Sequence, residues 1–265
     1  MLQTFNTIIN ETIEPGNPLQ RWLLSIVIMI EEIPSTSIIN KLRIINIYES
    51  YYNLLQKFFW PKLSTKYAEA TKTLGENAWG CRPGCSAENV ALIDEFVTEV
   101  YRLTFNNLFK LQHDAIACFD RVINSHTILN SRKFVVLDKI YHIHSSTFRN
   151  TEYRVQTILG TSTEYCKHTT SDPIDGNNQG EGSSGTNWVY VSVPITSNLD
   201  RNEEGCTIIS PDKNIKWEKV ILEFVDDKRQ YANDWKKNSL LNAFRTLQSA
   251  AQSWEHLRYT SGGKV

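Results

Sequence analysis

In the stretch WEKVILEFVDDKRQYAND (217–234), an apolar run through Phe224 and Val225 ends on two adjacent aspartates, Asp226 and Asp227. A pair of this kind in a turn is ordinarily solvated and bonds its local backbone. A third carboxylate within reach would change its chemistry. Close carboxylates repel, and each raises the pKa of the other. Hard divalent cations relieve that repulsion and prefer oxygen ligands, and two-metal phosphoryl transfer is built on such a cluster. The sequence offers a partner in HDAIACFDRV (113–122), where Asp114 closes a second apolar-flanked strand and is followed by Phe119 and Asp120. If that strand lies beside the 217–234 hairpin, Asp114 meets Asp226 at the strand ends.

The elements that must position these residues are readable along the chain. LLSIVIMIEEIP and KLRIINIY read as two strands joined by a Pro/Ser/Thr turn. Residues 49–70 follow a helical pattern interrupted at Pro61. The loop-like WGCRPGCSAEN (79–89) places Ser86 to cap a helix whose stripe is Ile93, Phe96, Val97, Val100 and Tyr101. LFKLQHDAIACF (108–119) reads as a strand running into a turn, with helices over about 123–134 and 138–149 and short strands near 153–159. The tract 167–187 is rich in Gly, Ser, Thr and Asn and by composition alone is a flexible linker; the expectation is instead that its C-terminal part enters a helix near Thr186–Val193 and its Gly-rich part forms a loop that approaches substrate. WVYVSVPI resumes ordered structure. A last helix shows Leu240, Phe244, Leu247, Ala251 and Trp254 on one face before Gly262-Gly263.

The 265-residue chain is 41% hydrophobic and 22% charged, an ordinary globular profile. Its net charge of −1 gives no overall basic excess, which argues mildly against a free-standing nucleic-acid binder. A basic cleft balanced by acidic surface stays compatible with that value. The odd set Cys81, Cys85, Cys118, Cys166 and Cys206 completes no zinc pattern and reads as free thiols in a reducing compartment. WLLSIVIMI (22–30) is too short for a bilayer span, which needs about 20 apolar residues. The expected location is intracellular, cytoplasmic or nuclear, with no membrane partner.

Six blocks in order carry a resemblance. Asp114-x4-Phe119-Asp120 and Phe224-x-Asp226-Asp227 resemble motifs A and C of reverse transcriptases, in the palm. GNNQGEGSSG (176–185) resembles motif B, with Gln179-Gly180 as its core. GCRPGCS (80–86) resembles the Gly-x-Arg-x-Gly-x-Ser block of the fingers, KLRIINI (41–47) a fingers strand, and SWEHLRYTSGGKV the motif D helix and turn. The likeness is to reverse-transcriptase-like frames of retrotransposons without long terminal repeats. It implies an α+β right-hand polymerase fold: a fingers-like subdomain over 1–107 and a palm over 108–265, an antiparallel sheet packed on helices. Part of the fingers returns at about 150–172, and the thumb is missing. The activity implied is RNA-directed DNA polymerisation, with RNA template, DNA primer and deoxynucleoside triphosphates as partners and Mg²⁺ or Mn²⁺ as cofactor. The match carries Asp114, Asp226 and Asp227 over as catalytic metal ligands, with Asp227 the less directly engaged. It carries Phe119 over as the steric gate under the sugar, Arg43 as the triphosphate contact, and Gln179, Gly180 and Arg82 as nucleotide-binding. Read singly, Phe119 is equally plain core, Arg43 a snorkelling surface residue and Arg82 a local partner within its loop.

The sequence also departs from the family. Glu32 stands where a fingers lysine is usual, and motif B lacks its Ser-Pro, since Gly185 follows Ser184. Glycine is common where Asn178 stands, and Glu181 adds a negative charge beside the loop. The chain ends at Val265, directly after the motif D-like block. A truncated, weakly active or inactive enzyme is therefore expected. The alternatives are a non-catalytic retroelement remnant or nucleic-acid-binding module, and an RNA-dependent RNA polymerase palm, which Phe119 and Phe-Val-Asp-Asp speak against.

Overall fold

The computed structural model describes residues 2–31, 42–113, 119, 122, 124–134, 136–169, 176, 179–202, 205–225 and 227–233. In chain order the elements are α1 (Leu2–Ile13), β1 (Leu24–Glu31), β2 (Leu42–Tyr48), α2 (Ser50–Lys57), α3 (Thr65–Ala70), α4 (Ala87–Leu103) and β3 (Leu108–His113). Then come α5 (Asn124–Lys133), α6 (Asp138–Asn150), β4 (Glu152–Thr157), β5 (Gly160–Thr161), β6 (Cys166–Lys167) and α7 (Ser184–Asn202). The chain continues through β7 (Cys206–Ile209), β8 (Lys216–Lys219), β9 (Ile221–Phe224) and β10 (Asp227–Asn233). By spatial contact it forms two units, 1–71 with 119–187, and 72–118 with 188–265.

In the first unit the sheet runs β2-β1-β4-β5, with β6 also on β4. β1 and β2 are antiparallel, pairing Ile30 with Arg43, while β4 lies parallel to β1, pairing Val155 with Val27. Parallel pairing needs a long crossover, and the residues between β1 and β4 supply it. β4 lies within the 150–172 span for which the resemblance implies a return to the fingers. α2 begins at Glu49, whose carboxylate accepts from the amides of Tyr51 and Tyr52 at 2.9 and 3.0 Å, satisfying two orphan donors of the first turn. Between α2 and α3 the chain is π-helical over Phe58–Ser64, around Pro61. Proline has no amide hydrogen and clashes with the preceding turn, and the wider turn absorbs the misfit. The core here is aromatic: Trp22, Tyr48 and Tyr52 pack with Leu55 and Ile143. The rings of Trp22 and Tyr48 stand 5.6 and 5.4 Å from that of Tyr52.

In the second unit, the three-stranded sheet β3-β10-β9 is antiparallel throughout, and β7 pairs with β8 in a separate hairpin. α4 starts at a capping box in which Ser86 and Asn89 satisfy each other's backbone. It packs Val90, Val97 and Tyr101 onto Cys206, Leu222 and Tyr231. Asp94 ties this helix to the sheet: its carboxylate takes Arg229 Nη1 and Tyr231 OH at 2.8 Å each, and Lys110 Nζ at 2.8 Å. The segment WVYVSVPI, rich in strand-forming residues, is helical inside α7, where residues 186–193 are all buried. A helix buried on all sides needs no polar face, and tertiary packing overrides local propensity. The last helix expected from the sequence, with the motif D-like block, lies outside the described residues, as does Glu32.

Candidate functional site

β3 and β10 are neighbours, with His113 paired to Lys228. Asp114 follows His113 directly in the chain, and Asp226 precedes Asp227, the first residue of β10. Both Asp114 and Asp226 lie outside the described residues. Asp227 is exposed and pairs with Phe224 across the tight β9–β10 connection. The sheet therefore brings side by side the two strands whose ends carry the candidate ligands.

The turn itself is strained and braced. Val225 has φ +57°, a region that a β-branched side chain rarely adopts. Its carbonyl accepts from Trp188 Nε1 at 2.7 Å. The chain at 77–80 runs along β9: Glu223 N donates to Asn77 O at 2.9 Å and Trp79 N to Glu223 O at 2.8 Å. That path brings Gly80 onto the turn. A Cβ on Gly80 would stand 2.7 Å from Val225 Cγ2 and closer still to Val225 N, so only glycine fits. Beneath the turn Glu223 and Lys228, each 1% exposed, form an ion pair at 3.1 Å. Burial pushes the Glu223 carboxyl above its usual range, and Lys228 opposes that rise. Arg82 donates from Nη1 to Gly75 O at 2.8 Å and also to Ala78 O, bracing the same loop from within.

In the first unit the Gln-Gly loop is bolted down rather than free. Gln179 O accepts from Asn46 N of β2 at 2.8 Å, and Gly180 O accepts from Asn53 Nδ2 of α2 at 3.1 Å. Gly180 takes φ +101°, and a Cβ there would lie 2.5 Å from Asn46 O. A Cβ on Gly182 would lie 2.8 Å from both Asn53 O and Lys57 N, so the loop rests directly on the backbone of α2. The compositional linker reading thus fails for 179–187, where main-chain bonds and close glycine packing supply the order that composition does not advertise. Glu181 differs from expectation too. Its side chain is 1% exposed and turned into the core, where it accepts from Tyr52 OH at 2.8 Å and faces His144 Nδ1 at 3.1 Å. Burial, and next the Glu181 charge, drive the Tyr52 hydroxyl pKa well above its ordinary value. Arg43 is exposed on β2. Phe119 is half-buried in the first unit.

Telomerase shares this fold. The chain aligns with apo telomerase from Candida tropicalis truncated from its C-terminal domain, with TM-score 0.58 and 14% identity, covering 98% of this chain and 52% of that one. It aligns with the apo telomerase of the same organism at TM-score 0.56 and 12% identity, covering 98% and 47%. Telomerase from Candida albicans in complex with a TWJ fragment of telomeric RNA matches at 0.53 and 12%, covering 91% and 42%. The chain thus spans about half the length of these structures. No protein-family model matches the sequence, and no curated protein resembles it significantly.

The fit of a divalent ion can be judged from the donor set. Carboxylate oxygens suit a hard cation, and the exposed position of Asp227 leaves its carboxylate reachable from solvent. Among the described residues no group of three or more metal-ligating side chains comes together. Sequence reasoning did not find the brace of Gly80 and Trp188, nor the buried Tyr52–His144–Glu181 group. Gly80 had a signal, because it opens the Gly-x-Arg-x-Gly-x-Ser block. The buried group had none, since its members are 92 and 129 residues apart in sequence from Tyr52. No helix among the described residues is long and apolar enough to cross a membrane.

Proposed function

We propose that this chain is the fingers and palm portion of a reverse-transcriptase-like polymerase, adding deoxynucleotides to a DNA primer on an RNA template. The observation that carries the reading is the β3-β10-β9 sheet. It pairs His113, the last residue of β3, with Lys228 of β10, in a fold shared with telomerase, a reverse-transcriptase-related enzyme. The order of the six sequence blocks supports a retrotransposon origin without long terminal repeats.

In this reading Asp114 and Asp226 hold Mg²⁺ or Mn²⁺, with Asp227 beside them. The bound ions would supply charge neutralisation at the transferring phosphoryl group and acidify the primer hydroxyl. The protein's own part is positioning. Phe119 is the ring beneath the sugar that disfavours a 2′-hydroxyl. Gln179 and Gly180, fixed to β2 and α2, line the nucleotide and template. Arg43 meets the triphosphate. Arg82 is a further nucleotide-binding residue, and its guanidinium also holds the 75–80 loop.

Single-nucleotide extension of a DNA primer on RNA and DNA templates, at low salt with Mg²⁺ or Mn²⁺, tests the reading. Template-directed addition that disappears in Asp226→Ala supports it. Addition that survives in Asp226→Ala, or that ignores the templating base, overturns it.

A further inference from the structure

The second unit surrounds one strained turn with contacts that the sheet alone does not require. Two-residue hairpins usually take glycine, asparagine or aspartate where φ is positive. Here that position holds Val225, at φ +57°. Three independent features restrain it. Trp188 Nε1 holds its carbonyl at 2.7 Å. Gly80 presses on it so closely that no side chain would fit. The 77–80 segment is itself fixed to β9 through the main chain of Glu223. Non-glycine residues in sparsely populated backbone regions persist where the surroundings over-determine them, and they cluster at functional sites.

We infer that Gly80 and Trp188 form a clamp that holds Val225 in its left-handed conformation, and that this conformation sets where the following Asp226 and Asp227 present their carboxylates. The inference rests on the metal-binding reading above and assigns positioning roles to three residues which the motif resemblance leaves without one. It also gives the leading glycine of the Gly-x-Arg-x-Gly-x-Ser block a physical role, the direct approach of its backbone to the aspartate turn. Arg82, bonded to Gly75 and Ala78, stiffens the arm that carries that glycine.

The clamp makes strain and binding move in opposite directions, which a merely structural role would not do. Val225→Gly removes the backbone strain and leaves the carbonyl available to Trp188. Trp188→Phe keeps the ring but removes the donor. Each full-length variant is compared with wild type and with Asp226→Ala, using Mn²⁺ binding by electron paramagnetic resonance and the thermal midpoint. The expected result is a Val225→Gly midpoint equal to or above wild type with Mn²⁺ affinity at least five-fold weaker. Trp188→Phe should also weaken Mn²⁺ at least three-fold. Unchanged Mn²⁺ affinity in both variants, beside a wild type that binds better than Asp226→Ala, overturns the clamp while leaving the metal reading intact. A Val225→Gly midpoint well below wild type overturns the strain argument. A wild type that binds no more Mn²⁺ than Asp226→Ala overturns the metal reading, and the inference with it.

Discussion

Replacing Glu181 with alanine should destabilise the first unit by about 2–6 kcal/mol, the cost of stranding two buried hydrogen-bonding groups. The figure follows from what is left behind. Tyr52 is fully buried and His144 is 4% exposed. Without the carboxylate, the Tyr52 hydroxyl loses an acceptor at 2.8 Å and His144 Nδ1 loses a partner at 3.1 Å. Each stranded buried group costs about 1–3 kcal/mol. Tyr52→Phe removes only one partner and leaves Glu181 facing His144, so about 1–3 kcal/mol is expected for it. Because both changes delete the same hydrogen bond, the double variant should fall short of their sum by about 0.5–3 kcal/mol. Urea denaturation followed by tryptophan fluorescence and far-ultraviolet circular dichroism measures all three. A Glu181→Ala cost under about 1 kcal/mol, or strict additivity, would refute the buried network. It would return Glu181 to a charge beside the motif B-like loop, as its sequence position suggests.

The same hydroxyl gives a pH prediction. Burial raises the Tyr52 pKa in the folded state, so its contribution is complete below the unfolded tyrosine pKa of about 10 and is lost as pH rises towards the folded value. Above pH ~10, Tyr52→Phe should therefore flatten the fall of stability by up to about 1.4 kcal/mol per pH unit, measured by denaturation at pH 10 to 11.5; parallel curves would contradict it. Gly180→Ala should destabilise by about 1–3 kcal/mol, since its Cβ meets Asn46 O at φ +101°. A neutral result in thermal unfolding would mean that the loop is not fixed to β2. Burial pushes the Cys206 thiol up to about 12, whereas Cys81 and Cys166 are exposed. Brief iodoacetamide treatment at pH 8 with mass spectrometry should label Cys81 and Cys166 and spare Cys206 until the protein is unfolded; early labelling of Cys206 would disagree.

Local pattern made much of this fold legible. The strands β1, β2 and β3, the β9–β10 hairpin and the Ser86-capped helix α4 follow from alternation, apolar stripes and cap chemistry. Pro61 marked a break correctly, but the sequence could not show that a π-helical turn would carry the chain through it. α7 begins at Ser184, inside the polar tract, and includes a β-branched run, because residues 186–193 are all buried and packing imposes the helix there. The candidate site rests on chemistry and spacing at Asp226-Asp227, of which the structure describes only Asp227, at the start of β10. Direction was not legible: Glu181 looked like a charge beside the motif B-like loop, and its side chain turns inward to Tyr52 and His144. Arg82, which the resemblance makes nucleotide-binding, bonds carbonyls of its own loop. No local pattern encodes which way a side chain turns when its partners are distant in sequence.

The central claim is that the ends of β3 and the β9–β10 turn share a divalent cation. Anomalous scattering from crystals of the full chain soaked in Mn²⁺ tests it most directly. The account predicts Mn²⁺ bound by carboxylate oxygens of both Asp114 and Asp226 at about 2.0–2.6 Å, and its disappearance in Asp226→Ala. Mn²⁺ elsewhere only, or Asp114 and Asp226 carboxylates pointing to opposite faces of the sheet, would contradict it.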